Sequence, residues 1–110
     1  MAIPALSDEK LIAFAADRFR LLAEPMRLRI LLHLENGECA AGEVARAVGG
    51  NQPNISRHLQ ALHRGGVVAR RRDGNTIYYS IADPAIVGVC ELMCKTHETL
   101  QGSRRRGDRK

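Results

Sequence analysis

Cys90, Cys94 and His97 lie within about two turns of what reads as one helix, at a spacing that could bind a soft ion. At about 100° per residue, Cys94 sits about 40° to one side of Cys90 and His97 about 20° to the other, so all three share a narrow stripe. Two thiolates one turn apart can hold a single ion, and they select zinc, cadmium, copper(I) or trivalent arsenic or antimony over hard cations. His97 or Cys39 would supply a third ligand. The competing reading is packing, because Ile86, Val89, Met93 and Leu100 share that face and buried cysteine is a common small core residue. Redox chemistry is a third option, with a disulfide joining Cys90 and Cys94, or Cys39 and one of them. Disulfide geometry is strict, so a pair one turn apart closes only if the helix distorts.

The second chemically capable group is polar and lies between residues 51 and 80. Asn51 is a good N-cap and Pro53 falls in the first turn, so a helix starts there. Ile55, Leu59 and Leu62 form an inward stripe, which leaves Gln52, Asn54, Ser56, Arg57, Gln60 and Arg64 on or beside the outward face. Gln and Asn can pair with adenine edges, Arg with guanine or phosphate and Ser with either, on a rod about the width of the major groove. Gly65-Gly66 ends the helix. Val67 to Arg72 and Thr76 to Ile81 read as strands around the turn Asp73-Gly74-Asn75. Arg70, Arg71, Arg72, Asn75 and Thr76 would then reach the DNA backbone or the minor groove. A helix followed by such a hairpin is the layout of a duplex reader.

The remaining chain must position these groups. With 110 residues it makes one domain, expected over 1–101, followed by a basic tail at 102–110 of Gly, Ser and Arg type that reads as disordered. Residues 44–72 carry six Arg and no acid, so the positive charge sits on the reader. Ser7 can cap a first helix, with Leu6 and Leu11 as a hydrophobic staple. Pro25 opens a second helix with Leu28, Ile30, Leu31 and Leu34 mostly buried, and a short third helix runs from about Gly42 to Val48. Pro84 opens a last helix that reaches about Gln101. No run approaches the roughly 20 apolar residues of a membrane span and no signal-peptide pattern leads the chain, so the expected location is the cytoplasm. Three cysteines make no disulfide framework and should be reduced. No nucleophile with a base and an orienting partner is visible, and no phosphate-binding Gly loop, which argues against an enzyme. His33, His58 and His63 read as core, helix-surface or DNA-adjacent residues.

The stretch from about Ala23 to Asp83 resembles the winged helix-turn-helix of the ArsR/SmtB family of bacterial sensor-repressors. The resemblance is carried by Leu22-Ala23-Glu24-Pro25-Met26-Arg27-Leu28 with Ile30-Leu31, then Gly37-Glu38 and Glu43-Val44-Ala45. It continues through Gln52-Pro53-Asn54-Ile55-Ser56-Arg57-His58-Leu59, Val67 to Gly74 and Tyr78-Tyr79. It implies a mainly α fold with a small β-hairpin wing (α+β), five helices and a homodimer through the first and last helices. It also implies double-stranded DNA as partner, no cofactor for DNA binding, and release when a metal, metalloid or sulfur species reaches Cys, His or carboxylate ligands. Twofold symmetry then implies an inverted-repeat operator.

Departures from the family's sensor patterns narrow the choice. The arsenic-type arrangement sets two cysteines at the start of the third helix. Here that run is Glu38-Cys39-Ala40-Ala41-Gly42-Glu43-Val44, and Cys39 stands at a leucine position. The zinc-type site is matched by Asp83, but Ala85, Thr96 and Thr99 stand where its histidines belong. Leu32 and Glu98 occupy the two cysteine positions of persulfide sensors. Cys90 with Cys94 is the remaining candidate.

Overall fold

Proline and side-chain caps decide where the helices begin. The computed structural model describes residues 8–108. Helix α1 (Glu9–Leu22) is capped by Asp8, whose carboxylate accepts from the N–H groups of Lys10 at 2.9 Å and Leu11 at 3.4 Å. The expected cap Ser7 and its staple partner Leu6 lie outside the described residues. Pro25 occupies the first turn of α2 (Pro25–Leu34), where its missing N–H costs no hydrogen bond. A two-residue strand β1 (Cys39–Ala40) leads directly into α3 (Ala41–Val48). Helix α4 (Gln52–Arg64) starts at Asn51, whose side chain accepts from the Asn54 N–H at 2.9 Å.

The end of α4 is equally well defined. Gly66 takes φ +75°, its N–H bonds to the His63 carbonyl at 3.0 Å, and the Val67 N–H bonds to the Leu62 carbonyl at 3.0 Å. This is a Schellman closure, which needs a left-handed residue that glycine provides cheaply. Strands β2 (Val68–Asp73) and β3 (Thr76–Ile81) follow, paired from Val68↔Ile81 to Asp73↔Thr76. Gly74, with φ +62°, is the first of the two turn residues, the φ pattern of a type II′ hairpin. The sheet is antiparallel in the order β1-β3-β2, so β1 adds an edge strand that the hairpin reading lacks, through Cys39↔Tyr79 and Ala40↔Tyr78.

Helix α5 (Pro84–Asp108) opens at Asp83, whose carboxylate accepts from the Ala85 N–H at 3.1 Å. It continues past the expected end near Gln101, to Asp108.

The core is built on the inner faces of α2 and α4. Ile30, Leu31, Ile55, Leu59 and Leu62 have no solvent exposure, and Val44 of α3 and Val67 join them with none. Leu28 is only half-buried. Arg18 of α1 binds this core to its neighbours. Its guanidinium donates to Asp83 Oδ2 at 2.8 Å and to the Gly65 carbonyl, and it lies 5.0 Å from the Phe14 ring centre. Helices α1 and α5 leave Leu11, Phe14, Phe19, Leu92, Met93 and Leu100 exposed. Leu59→Ala should lower folding stability by about 2–5 kcal/mol in chemical denaturation at fixed protein concentration. A loss of only about 0.5 kcal/mol, the size of a surface change, would show that α4 is not seated as described.

Candidate nucleic-acid interface and thiol cavity

The phase of α4 is set by its buried face, and the polar side chains follow from it. Gln52, Arg57, Gln60 and Arg64 are exposed, while Asn54 and Ser56 are half-buried at the edge of the helix. Arg57 donates through Nη2 to Asn54 Oδ1 one turn back, which aligns an amide and a guanidinium on the same face. His58, the next residue along α4, is buried and accepts from Arg27 Nε at 3.2 Å. Burial and then the Arg27 charge push its imidazole below its usual pKa.

The wing closes a concave polar surface against this helix. A groove of about 540 Å³ brings Gln52 and Ser56 of α4 together with Asn75 and Thr76 at the hairpin turn. Arg46 of α3 stands in the same groove and was missed by the sequence reading. Its signal was the acid-free run 44–72, but it sits on the positioning helix and outside the polar stripe of α4.

Alternation along β2 separates the wing arginines. Arg71 faces Tyr78 across the ladder and lies 4.6 Å from that ring's centre. It also forms a fork on Glu38, with Nε to Oε2 at 3.1 Å and Nη2 to Oε1 at 2.7 Å. The hydrogen bonds from Arg71, reinforced by its charge, hold the Glu38 carboxyl below its ordinary pKa, and the same fork holds the Arg71 guanidinium above its own. Arg71 therefore fastens the wing to the segment before β1, while Arg70 and Arg72 are exposed on the other strand face. Arg72 additionally donates to the Gly74 carbonyl at 3.2 Å.

The thiols fall into two separate places. Cys90 is buried and Cys94 exposed, and both line an apolar cavity of about 250 Å³ between α1, α2 and α5, walled by Phe19, Leu28, Leu32 and Val89. Burial pushes the Cys90 thiol above its usual pKa, with Cys94 adding to the effect. His97 is exposed and not on the cavity wall. Cys39 belongs to another cluster, with Sγ 3.6 Å from His33 Nε2 and 3.7 Å from Glu43 Oε2. Burial first, then Glu43, pushes that thiol upward too. Among the described residues no three His, Cys, Asp or Glu side chains converge to hold a metal, so neither Cys39 nor His97 joins the pair within one subunit. Asp83 is occupied by Arg18 and by capping α5.

A polar helix held by a buried core beside a β-hairpin, with a positioning helix before it, defines a winged helix-turn-helix DNA-binding domain. A family model described as "Helix-turn-helix domain" matches residues 22–71. The HTH-type transcriptional regulator Rv0081 of Mycobacterium tuberculosis is 44% identical over 96 residues, covering 86% of this chain and 82% of that protein. Its crystal structure gives a TM-score of 0.75 at 39% identity, over 86% of this chain and 95% of the other. The homodimeric winged helix-turn-helix domain of Mb0332 from Mycobacterium bovis, a possible ArsR-family regulator, gives 0.74 at 35% identity, over 89% and 91%. The AntR antimony-specific transcriptional repressor gives 0.76 at 30% identity, over 92% and 98%. The chain belongs to the ArsR/SmtB family of winged helix-turn-helix transcriptional regulators. It is a DNA-binding regulator and not an enzyme.

The Glu38–Arg71 fork carries a pH dependence of known sign. A carboxyl whose pKa is lowered on folding contributes fully above its unfolded value, about 4.3, and the contribution is lost as pH falls through the folded value. Carboxyl carbon NMR should therefore find Glu38 titrating below the ordinary glutamate range, with the Arg71 Nε–H losing exchange protection over the same interval. Titration of Glu38 at the ordinary value would contradict the fork, and Glu38→Gln should remove the protection at every pH.

Proposed function

We propose that the chain is a cytoplasmic, homodimeric repressor that leaves an inverted-repeat operator when a thiophilic inducer binds Cys90 and Cys94. The inducer class is a soft metal such as cadmium or zinc, or trivalent arsenic or antimony. One observation carries the reading: both thiols open onto a single cavity at the junction of α1, α2 and α5. The relatives are consistent with it, since they include a homodimeric domain and an antimony-specific repressor.

Dimerisation through α1 and α5 would cover Phe14, Phe19, Leu92 and Met93, large apolar side chains that the single chain leaves exposed. Each subunit would then set Gln52, Asn54, Ser56, Arg57, Gln60 and Arg64 into a major groove, about 34 Å from its twin. Arg70, Arg72, Asn75 and Thr76 would meet the backbone or the minor groove, with Arg71 holding the wing in reach. Helix α1 supplies the route between sites. Phe19 and Leu22 wall the thiol cavity, while Arg18 on the same helix grips the Gly65 carbonyl at the end of α4 and Asp83 at the start of α5. An inducer that shifts α5 against α1 would alter the separation of the two recognition helices. A coupling of about 1–3 kcal/mol is enough to lower promoter occupancy severalfold or more.

Fluorescence anisotropy of the reduced protein on DNA from upstream of its own gene tests this. Arg57→Ala should lose about 1–3 kcal/mol of specific binding if it reads a base, whereas an equal loss on random DNA would restrict it to backbone contact. Cys90→Ser and Cys94→Ser should bind DNA normally and no longer respond to arsenite or cadmium. Full release in both variants would overturn the thiol site.

A further inference from the structure

One imidazole on the recognition helix has no part in the reading above. His58 directly follows Arg57 on α4, yet it is only 6% exposed. Arg27 of α2 donates through Nε to its Nδ1 at 3.2 Å, and through Nη1 to the Leu21 carbonyl at the end of α1, also at 3.2 Å. A guanidinium keeps its protons at any working pH, so Nδ1 must offer a lone pair and the neutral ring carries its hydrogen on Nε2. The seat is built for an uncharged ring.

Adding a proton reverses this arrangement. Nδ1 becomes a donor facing the Arg27 Nε–H, the hydrogen bond is lost, and two positive groups are left in contact in a buried place. Arg57 opposes the added charge as well, while Glu24 at the N-cap of α2 favours it. Burial is the largest influence and acts with the arginines, so the ring is held below its usual pKa. A group lowered in this way contributes its stability in full above the unfolded value, about 6.5, and the contribution is lost as pH falls through the folded value. The contact that fails is the one that fastens α4 to α2 and α1 beside Arg57.

We propose that His58 is a positioning residue for DNA recognition, and that a proton on its ring displaces Arg27, loosens α4 and releases the duplex. The regulating ligand is then the hydrogen ion, and it acts independently of the thiols. The sign separates this device from ordinary titration. An exposed histidine that gains charge binds a polyanion more tightly, whereas charging His58 weakens binding. The duplex also favours a charged ring, but its field decays over about 8 Å in physiological salt, and Arg27 is in direct contact.

The test uses the full chain, reduced, on DNA from upstream of its own gene at fixed ionic strength. Anisotropy is read from about one pH unit above 6.5 to about two below it, wherever far-UV circular dichroism shows the helices intact. Affinity should fall on acidification, by up to about tenfold per pH unit for each His58 involved. Arg27→Gln should flatten the profile, because an amide can turn either its hydrogens or its oxygen toward Nδ1. His58→Asn keeps an acceptor and cannot be charged, so it should do the same. Affinity that stays constant or rises with acid in the parent protein would overturn the proposal, and so would a loss that both variants retain. If either variant fails to bind DNA at the upper pH, nitrogen NMR of the parent decides. By linkage the His58 ring must then be the Nε2–H tautomer and titrate lower in the DNA complex than in the free chain, and an equal or higher value in the complex overturns the switch.

Discussion

Ile55, Leu59 and Leu62 must be dry, and the arrangement of the domain follows from that constraint. Fully burying such a side chain contributes about 1.5–3 kcal/mol, and these three have no exposure against α2, α3 and the base of the wing. A helix fixed on one face cannot rotate about its axis. The direction in which Gln52, Arg57 and Gln60 point is therefore decided by core packing before any DNA arrives. The caps complete the constraint, since Asn51 fixes where the helix begins and Gly66 fixes where it must turn into β2. A reader that is ordered in advance loses less conformational entropy on binding.

Much of this could be read from residue order because it is local. Helix starts at Pro25 and Asn51, the inward stripe of α4 and the Gly74 turn each depend on residues within a few positions of one another. Strand β1 could not be read, since two residues carry no alternation and its pairing with β3 spans the whole recognition unit. The fork between Glu38 and Arg71 was hidden for the same reason. Arg71 looked like one of three equivalent DNA-facing cations, and only the strand register reveals that it points to Tyr78 and Glu38.

The thiol reading divides along similar lines. Helical phase correctly put Cys90 and Cys94 on a common wall, because that inference needs only the pitch of one helix. Helical phase also put His97 near them, but angle is not distance. Two turns along the axis carry that ring beyond the cavity, and it is exposed. Cys39 was a matter of tertiary position throughout, and its neighbours His33 and Glu43 come from α2 and α3. Asp83 shows how a residue type matching a ligand position can be diverted. Its two oxygens serve a helix cap and an arginine.

The same fork affects how strongly the wing responds to ionic conditions. A cation already neutralised by a neighbouring carboxylate displaces fewer condensed counterions when it nears the duplex, and counterion release sets how steeply affinity falls with salt. Toward a polyanion the β2 strand presents Arg70 and Arg72 as free charges, with Arg71 compensated by Glu38. On the proposed docking, the wing would contribute shape and reach in greater proportion than its run of three arginines suggests. Its ionic-strength sensitivity would then be correspondingly muted, with the burden of long-range attraction falling on Arg46, Arg57 and Arg64 of the two helices.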